Sequence, residues 1–209
     1  MKTIKIKKMV MGKIVLLLVF GVIVYFAGCK KDVAVPQNNV SGNNSSPNST
    51  PVNLISNGSF ESGGQFTYHL WVPNDTTLIK PSKNVPAMGG LWSLQLLPGS
   101  TQGTTSWIGY IDYYITGISG NNSYTLNVYS NNSNSDYPGI VTIGKLSGKQ
   151  IIQGKSDTLN NLNVWQAHTV QHIMSTNAFD TIIVRLSAGT LGPVGPNCYV
   201  LFDLIELKK

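Results

Sequence analysis

The stretch SYTLNVYS, residues 123–130, decides the fold class of this chain. Its side chains alternate between one face with Tyr124, Leu126 and Val128 and the opposite face with Thr125, Asn127 and Tyr129. Because successive side chains of a strand point to opposite faces, a period of two predicts a β-strand with one buried face.

Two further stretches repeat this alternation. In WIGYIDYYI, residues 107–115, the apolar set faces away from Tyr110, Asp112 and Tyr114, and in DTIIVRLSAG, residues 180–189, it faces away from Arg185. Between strands lie the loop sequences SGNNS and SNNSNSDYPG, which are rich in turn-forming residues. Loops of this kind join antiparallel strands and leave no room for crossover helices. The sequence therefore predicts an all-β fold, an antiparallel β-sandwich.

The first 28 residues are predicted to be a targeting segment. Five lysines precede the apolar run at residues 14–26, which is typical of a secretory signal peptide. The run ends in FAGC, which resembles the lipobox of bacterial lipoproteins and implies a lipid on Cys29. The alternative is an uncleaved anchor, because residues 10–28 approach the roughly 20 apolar residues that a membrane helix needs.

The segment after Cys29 is predicted to be a flexible tether. Residues 29–52 contain QNNVSGNNSSPNSTP, which offers almost nothing apolar to bury and cannot offset the entropy cost of ordering. The remaining residues, 53–209, are long enough for one domain with its own core. Cys198 then has no partner for a disulfide, and its apolar surroundings predict a buried thiol.

The charge balance argues against nucleic-acid binding. The whole chain has a formal net charge of +6 from 15 basic and nine acidic residues. Five of the basic residues lie in the targeting segment, so ten remain against nine acidic residues. A nearly neutral domain without a basic stripe does not attract the phosphate backbone.

Six motifs occur in an order that resembles one known family. They are NLISNGSFESGG at 53–64, GGLWSLQL at 89–96, ISGNNSYTLNVYS at 118–130, NVWQAHTVQHI at 163–173, DTIIVRLSAG at 180–189 and CYVLFDLIEL at 198–207. Together they resemble carbohydrate-binding modules of the CenC type, which are jelly-roll sandwiches of the galactose-binding-like group. The resemblance covers the whole predicted domain and implies a jelly-roll fold that binds glycan without catalysis.

The resemblance also implies a structural calcium ion. Related modules share one between an early acid and an acid in the last strand, and Glu61 and Asp203 match those places. Backbone oxygens near Ser59 and Gly90 would complete the shell, since calcium takes six to eight oxygen ligands. The family pattern has a second acid after the first in the last strand, and here that place is Leu204. The alternative is that Glu61 is a solvated turn residue and Asp203 pairs with a lysine.

A sugar-binding surface is the third implication. Such modules stack exposed aromatic rings on sugar and place polar groups beside them. The residues predicted to line this cleft are Tyr110, Tyr114, Tyr129, Asp112, Asn127 and Arg185, with Trp71 and Trp92 flanking it from loops or edges.

Catalysis is not expected. Glycoside hydrolysis needs two carboxylates flanking the scissile bond, whereas the few acids of this domain are scattered mostly in turns. His168 and His172 would lie roughly 13 Å apart on a strand, too far to share one metal ion. We therefore predict a lipid-anchored protein of the bacterial cell envelope, in the outer membrane and exposed at the surface, that binds glycan or polysaccharide. The alternative is a structural or adhesive envelope lipoprotein that binds a protein through the same sandwich.

Overall fold

The computed structural model describes residues 51–99, 101–102, 105–106, 108–134, 138–189 and 198–209. These residues all belong to one compact unit, Pro36–Lys209. The predicted signal peptide, Cys29 and nearly all of the predicted tether lie outside the described residues. Within the described ranges, no helix combines the length and the hydropathy that crossing a membrane requires.

The described part of the chain is built almost entirely of β-strands. The early strands are β1 (Glu61–Ser62), β2 (Gln65–Phe66), β3 (Trp71–Pro73), β4 (Ile79–Ser82), β5 (Ser93–Leu96), β6 (Thr101–Gln102) and β7 (Thr105–Ser106). The later strands are β8 (Gly109–Ile115), β9 (Gly120–Asn132), β10 (Gly139–Ser147), β11 (Gln150–Leu159), β12 (Gln166–Thr176), β13 (Thr181–Ala188) and β14 (Val200–Lys208). A 3₁₀ turn, Thr76–Leu78, begins after Asp75, whose carboxylate accepts a hydrogen bond from the amide of Thr77.

Two five-stranded antiparallel sheets form the sandwich. One has the strand order β11-β10-β13-β8-β3 and is called the Arg185 sheet here. The other has the order β12-β9-β14-β5-β4 and is called the Asp203 sheet. Two short hairpins, β1-β2 and β6-β7, lie outside these sheets. The all-β prediction and the predicted jelly-roll sandwich are both confirmed.

The core lies between the inner faces that the alternation predicted. Tyr124, Leu126 and Val128 of β9 are completely buried, and so is Tyr113 of β8. The ring of Trp71 packs between Phe60, at 5.4 Å between ring centroids, and Tyr113, at 5.1 Å. Aromatic residues bury large areas, so this stack contributes much of the core at the β3 edge of the Arg185 sheet.

The start of the domain pairs with its last strand. Leu54 donates its amide hydrogen to Leu207 O at 2.7 Å, and Ile205 donates to Gly58 O at 3.0 Å. A side chain at Gly58 would collide with the carbonyl of Ile205, so glycine is needed for this close approach. The pairing brings the region of Glu61 beside β14, although the two acids are far apart in sequence.

A buried polar network fixes the loop between β11 and β12. Asn161 accepts a hydrogen bond from Ser130 Oγ at 3.0 Å and donates to Val164 O at 2.7 Å. Its side-chain oxygen also lies 3.2 Å from His168 Nε2. Since buried polar groups need partners, these contacts hold the loop against β9.

Candidate functional site

Glu61 and Asp203 lie close together, as the resemblance implied. Asp203, in β14, is completely buried. Its Oδ1 accepts a hydrogen bond from the Leu204 amide at 2.8 Å, but its Oδ2 is buried without a hydrogen-bond partner. Glu61, in β1, accepts a hydrogen bond from the Leu91 amide at 2.9 Å. A buried carboxylate oxygen without a partner is costly, so it marks a place where a ligand would be stabilised.

The turn at Gly89 and Gly90 brings the backbone against both acids. A Cβ atom on Gly89 would lie 2.6 Å from Asp203 Oδ2, and one on Gly90 would overlap Glu61 Oε1. Only glycine lets the backbone come this close to the two carboxylates. The two acids and this turn therefore form one locus, which we call the acid pair.

The electrostatics of the acid pair favour a cation. The pKa of Asp203 is raised to about 7, mainly by burial and to a smaller extent by the negative charge of Glu61, while the hydrogen bond from Leu204 opposes the rise. In the described residues, no group of three or more His, Cys, Asp or Glu side chains is placed to hold a metal. A calcium ion would therefore need backbone and water oxygens besides these carboxylates, which its coordination chemistry permits. The residues fit calcium, and the roles of Ser59 and Gly90 as oxygen donors stay predictions.

A second locus is the outer face of the Arg185 sheet. Arg185 donates from Nε to Asp112 Oδ1 at 2.7 Å and from Nη2 to Asp112 Oδ2 at 2.8 Å. The hydroxyl of Tyr114 donates to Asp112 Oδ2 at 3.1 Å. The guanidinium of Arg185 also lies 3.8 Å from the ring centroid of Tyr110. The four side chains form one network, which we call the Arg185 cluster.

The floor around the Arg185 cluster is buried although it belongs to the outer face. Asp112 is 2% exposed, Ser187 is 8% exposed and Ile183 is fully buried. Tyr110, Tyr114 and Arg185 are half-buried around them. Burial and the charge of Asp112 raise the pKa of Tyr114 well above its usual value, so its hydroxyl stays protonated. The half-buried side chains of Tyr110, Tyr114 and Arg185 therefore cover a buried layer on this face.

Hydroxyl groups extend this face across the sheet. In the strand register, Asp112 lies opposite Arg185, Arg185 opposite Thr142, and Thr142 opposite Ser156. The hydroxyls of Thr142 and Ser156 are 2.7 Å apart. Polar groups therefore cross four neighbouring strands at one level.

The prediction that all six cleft residues share one face is wrong. Tyr110, Asp112, Tyr114 and Arg185 lie on the Arg185 sheet, whereas Asn127 and Tyr129 belong to β9 of the Asp203 sheet. The outer faces of the two sheets point to opposite sides of the sandwich. Alternation tells which side of a strand is polar, but it does not tell which sheet the strand joins.

Two other assignments in the cleft are also corrected. Trp71 lies in the edge strand β3, as expected, but its side chain points into the core and is only 3% exposed, so it does not flank a sugar cleft. Its indole Nε1 donates to Asn57 O at 3.2 Å. Asp112 is too deeply buried to contact a sugar directly, because Arg185 and Tyr114 occupy both of its carboxylate oxygens. Asp112 positions Arg185 instead.

Trp92 lies at a separate aromatic corner. Its Nε1 donates to Gly64 O at 3.0 Å, and its ring centroid is 6.4 Å from that of Phe66. Lys83 Nζ lies 3.4 Å from the centroid of the Trp92 ring, a cation–π contact. Next to this corner, residues 66–71 line a surface hollow of about 400 Å³. This hollow was not predicted from the sequence, although the concentration of aromatic residues in FTYHLW, residues 66–71, is a signal for such a site.

The fold has solved counterparts. A scan against protein-family models and a comparison with curated proteins found no match. TmCBM61, solved in complex with β-1,4-galactotriose, is 14% identical with a TM-score of 0.50, over 75% of this chain and 97% of that one. A putative sugar-binding protein from Bacteroides thetaiotaomicron VPI-5482 is 13% identical with a TM-score of 0.51, over 76% and 100%.

An enzyme shares the architecture as well. A Stig cyclase, Fisc from Fischerella sp. TAU, solved with an indole compound, is 18% identical with a TM-score of 0.50, over 76% of this chain and 98% of that one. Identities this low establish the fold and not the activity. This chain therefore has the jelly-roll sandwich fold found in carbohydrate-binding modules.

Proposed function

We propose that this protein is a lipid-anchored, non-catalytic glycan-binding protein of the bacterial cell envelope. The observation that supports glycan binding is the Arg185 cluster, which places two tyrosine rings and a guanidinium on an outer face of a fold that carbohydrate-binding modules share. The anchor would be a lipid on Cys29, and residues 30–52 would hold the domain away from the outer membrane.

The Arg185 cluster suits an uncharged polyol. The charges of Arg185 and Asp112 offset each other, and two contacts hold the guanidinium in place before any ligand arrives. Such preorganisation lowers the entropy cost of binding. One side of the Tyr110 ring is covered by Arg185, so a sugar ring would stack on the opposite side or edge. The hydroxyls of Thr142 and Ser156 would then hydrogen-bond neighbouring sugar units.

A matched pair of variants tests the location of binding. The chain from residue 30 to 209 is screened against a panel of polysaccharides, and the best binder is titrated against Tyr110→Ala and Tyr129→Ala. Tyr110→Ala should weaken binding by about 1 kcal/mol, or roughly fivefold, because a stacking ring is lost. Tyr129→Ala lies on the opposite sheet and should leave the affinity unchanged. The reverse ranking would move the site to the Asp203 sheet, and no binding to any glycan would favour the protein-binding alternative.

We also propose that calcium binds the acid pair. Glu61 and Asp203 would supply carboxylate oxygens, with backbone oxygens near Ser59 and Gly90 and water completing the shell. The ion would supply positive charge and would join β1, β14 and the turn at Gly89 and Gly90. Its role would be structural, since neither Glu61, in the β1-β2 hairpin, nor Asp203, in the Asp203 sheet, belongs to the sheet of the Arg185 cluster.

The lipid anchor has its own test. Cells that express the full chain are fed an alkyne-bearing fatty acid, and incorporation into the protein is compared with a Cys29→Ser variant. Label in the native chain and none in the variant is the expected result. Equal labelling of the two proteins, or none in either, would contradict lipidation at Cys29.

A further inference from the structure

The hollow beside Trp92 is built by one short segment that folds back on itself. The Trp71 amide donates to Tyr68 O at 2.9 Å, and the His69 amide donates to Thr67 Oγ1 at 3.1 Å. Leu70 adopts a left-handed conformation with φ of 75°. This conformation is unfavourable for a residue with a side chain, so the surrounding structure imposes it.

Hydrogen bonds with Asn57 and Phe60 hold residues 66–71 in this conformation. Asn57 Nδ2 donates to the carbonyl oxygens of Thr67, at 3.0 Å, and His69, at 3.2 Å. The amide of Thr67 donates to Phe60 O at 2.8 Å. Asn57 and Phe60 also have positive φ values, 58° and 54°. Three non-glycine residues in this conformation around one hollow indicate a shape that is maintained at an energetic cost.

The lining combines aromatic rings with free polar groups. The half-buried rings of Phe66 and Tyr68 lie 6.3 Å apart in this lining, and the ring of Trp92, which is outside the lining, lies 6.4 Å from that of Phe66. Within the described residues, neither the Tyr68 hydroxyl nor the His69 imidazole forms a hydrogen bond. No Asp, Glu, Lys or Arg is among the residues that line the hollow. Apolar faces beside unused donors and acceptors match a sugar ring, which carries an apolar face and hydroxyl groups.

Size and shape narrow the ligand further. A volume of about 400 Å³ is near the lower limit of roughly 300–1,000 Å³ for small-molecule sites. It has room for one or two sugar rings. The hollow precedes β3, an edge strand of the Arg185 sheet, and none of the four residues of the Arg185 cluster lines it.

We propose that the Phe66–Trp71 hollow is a second binding site that takes one or two uncharged sugar rings. Its ligand class rests on the proposed glycan-binding function, but its location does not depend on the Arg185 cluster. Tyr68 would contribute both a stacking ring and a hydroxyl, and His69 a hydrogen-bonding group. Two sites that hold one glycan at separate points would raise its avidity without new contacts at either.

Amide chemical shifts of the chain from residue 30 to 209 provide the test. The probes are methyl β-D-galactopyranoside and methyl β-D-glucopyranoside, used at concentrations high enough to measure a Kd of about 1 mM. At least one probe should shift the amides of residues 66–70. Tyr68→Ala should weaken that binding at least tenfold, whereas Tyr68→Phe should retain the ring and part of the affinity. Tyr110→Ala should leave binding at residues 66–70 unchanged while it weakens polysaccharide binding.

Each other outcome has a definite meaning. If polysaccharide binds the Arg185 cluster but neither probe shifts residues 66–70, the second site is wrong and the proposed function stands. If the shifts occur equally in Tyr68→Ala, the assigned stacking role is wrong. If neither the probes nor any polysaccharide binds, both proposals fail.

Discussion

Removing the charge of Asp203 should stabilise the calcium-free domain at neutral pH. Asp203 is completely buried, its Oδ2 has no hydrogen-bond partner, and Glu61 adds a second negative charge nearby. In the calcium-free protein, these surroundings raise the pKa of Asp203 from 3.8 to about 7. Asp203→Asn keeps the size of the side chain and removes the ionisation.

The linkage between proton binding and folding gives the direction and the size of this effect on the free energy of unfolding. The pKa is higher in the folded state than in the unfolded state, so the folded protein holds its proton more tightly. The contribution of Asp203 to stability is therefore fully present below about pH 4 and is lost as the pH rises to about 7. A shift of about three pKa units corresponds to a loss of about 4 kcal/mol, at 1.36 kcal/mol for each unit.

Urea unfolding in the presence of a chelator measures this effect. The free energy of unfolding of the native chain, residues 30 to 209, is compared with that of Asp203→Asn from pH 4 to pH 8. As the pH rises from 4 to 8, the free energy of unfolding of Asp203→Asn should increase by about 4 kcal/mol relative to that of the native chain. Calcium should then stabilise the native chain by about 2.7 kcal/mol at a concentration of 100 times its Kd, and should leave the variant nearly unchanged.

If the free energies of unfolding of the native chain and Asp203→Asn change in parallel with pH, the raised pKa of Asp203 is wrong. That result would mean that the Asp203 carboxylate ionises as easily in the folded state as in the unfolded one. If the stability of the native chain changes with pH as expected but does not change with calcium, the raised pKa of Asp203 is supported and the proposed calcium site is wrong.

Three further perturbations test other parts of the structure. Trp71→Ala should lower the free energy of unfolding by about 3–5 kcal/mol, because Trp71 is a core residue, and a loss below 1 kcal/mol in urea unfolding would contradict its burial. Arg185→Ala should lower the free energy of unfolding by about 3–5 kcal/mol, since it leaves the buried Asp112 carboxylate without its positively charged partner and with only the Tyr114 hydroxyl. The double variant with Asp112→Ala should lose less than the sum of the single losses, and strict additivity would refute the coupling. His168→Gln should reduce the loss of stability below about pH 6.5, because burial lowers the pKa of His168 more than Asp157 raises it; an unchanged acid limb, measured in the Asp203→Asn background, would refute this.

The strand pattern could be predicted because it depends on neighbouring residues. Alternation in β8, β9 and β13 placed Tyr113, Leu126 and Val184 on the inner faces, and all three are completely buried. The pairing of Glu61 with Asp203 came from a resemblance, and the structure brings them to one turn at Gly89 and Gly90. The residues next to Glu61 and next to Asp203 in the sequence do not indicate that the two acids lie close together. Their proximity depends on the pairing of the start of the domain with β14.

The class of fold and the polar side of each strand can be read from the sequence, because side-chain direction along a strand follows a period of two. Which polar faces lie together depends on tertiary contacts. The tertiary structure placed Asn127 and Tyr129 on the side opposite Arg185, since sheet membership depends on pairing between distant strands. It also turned Trp71 inward and curled residues 66–71 around a hollow, because contacts from Asn57 and Phe60 impose that backbone shape.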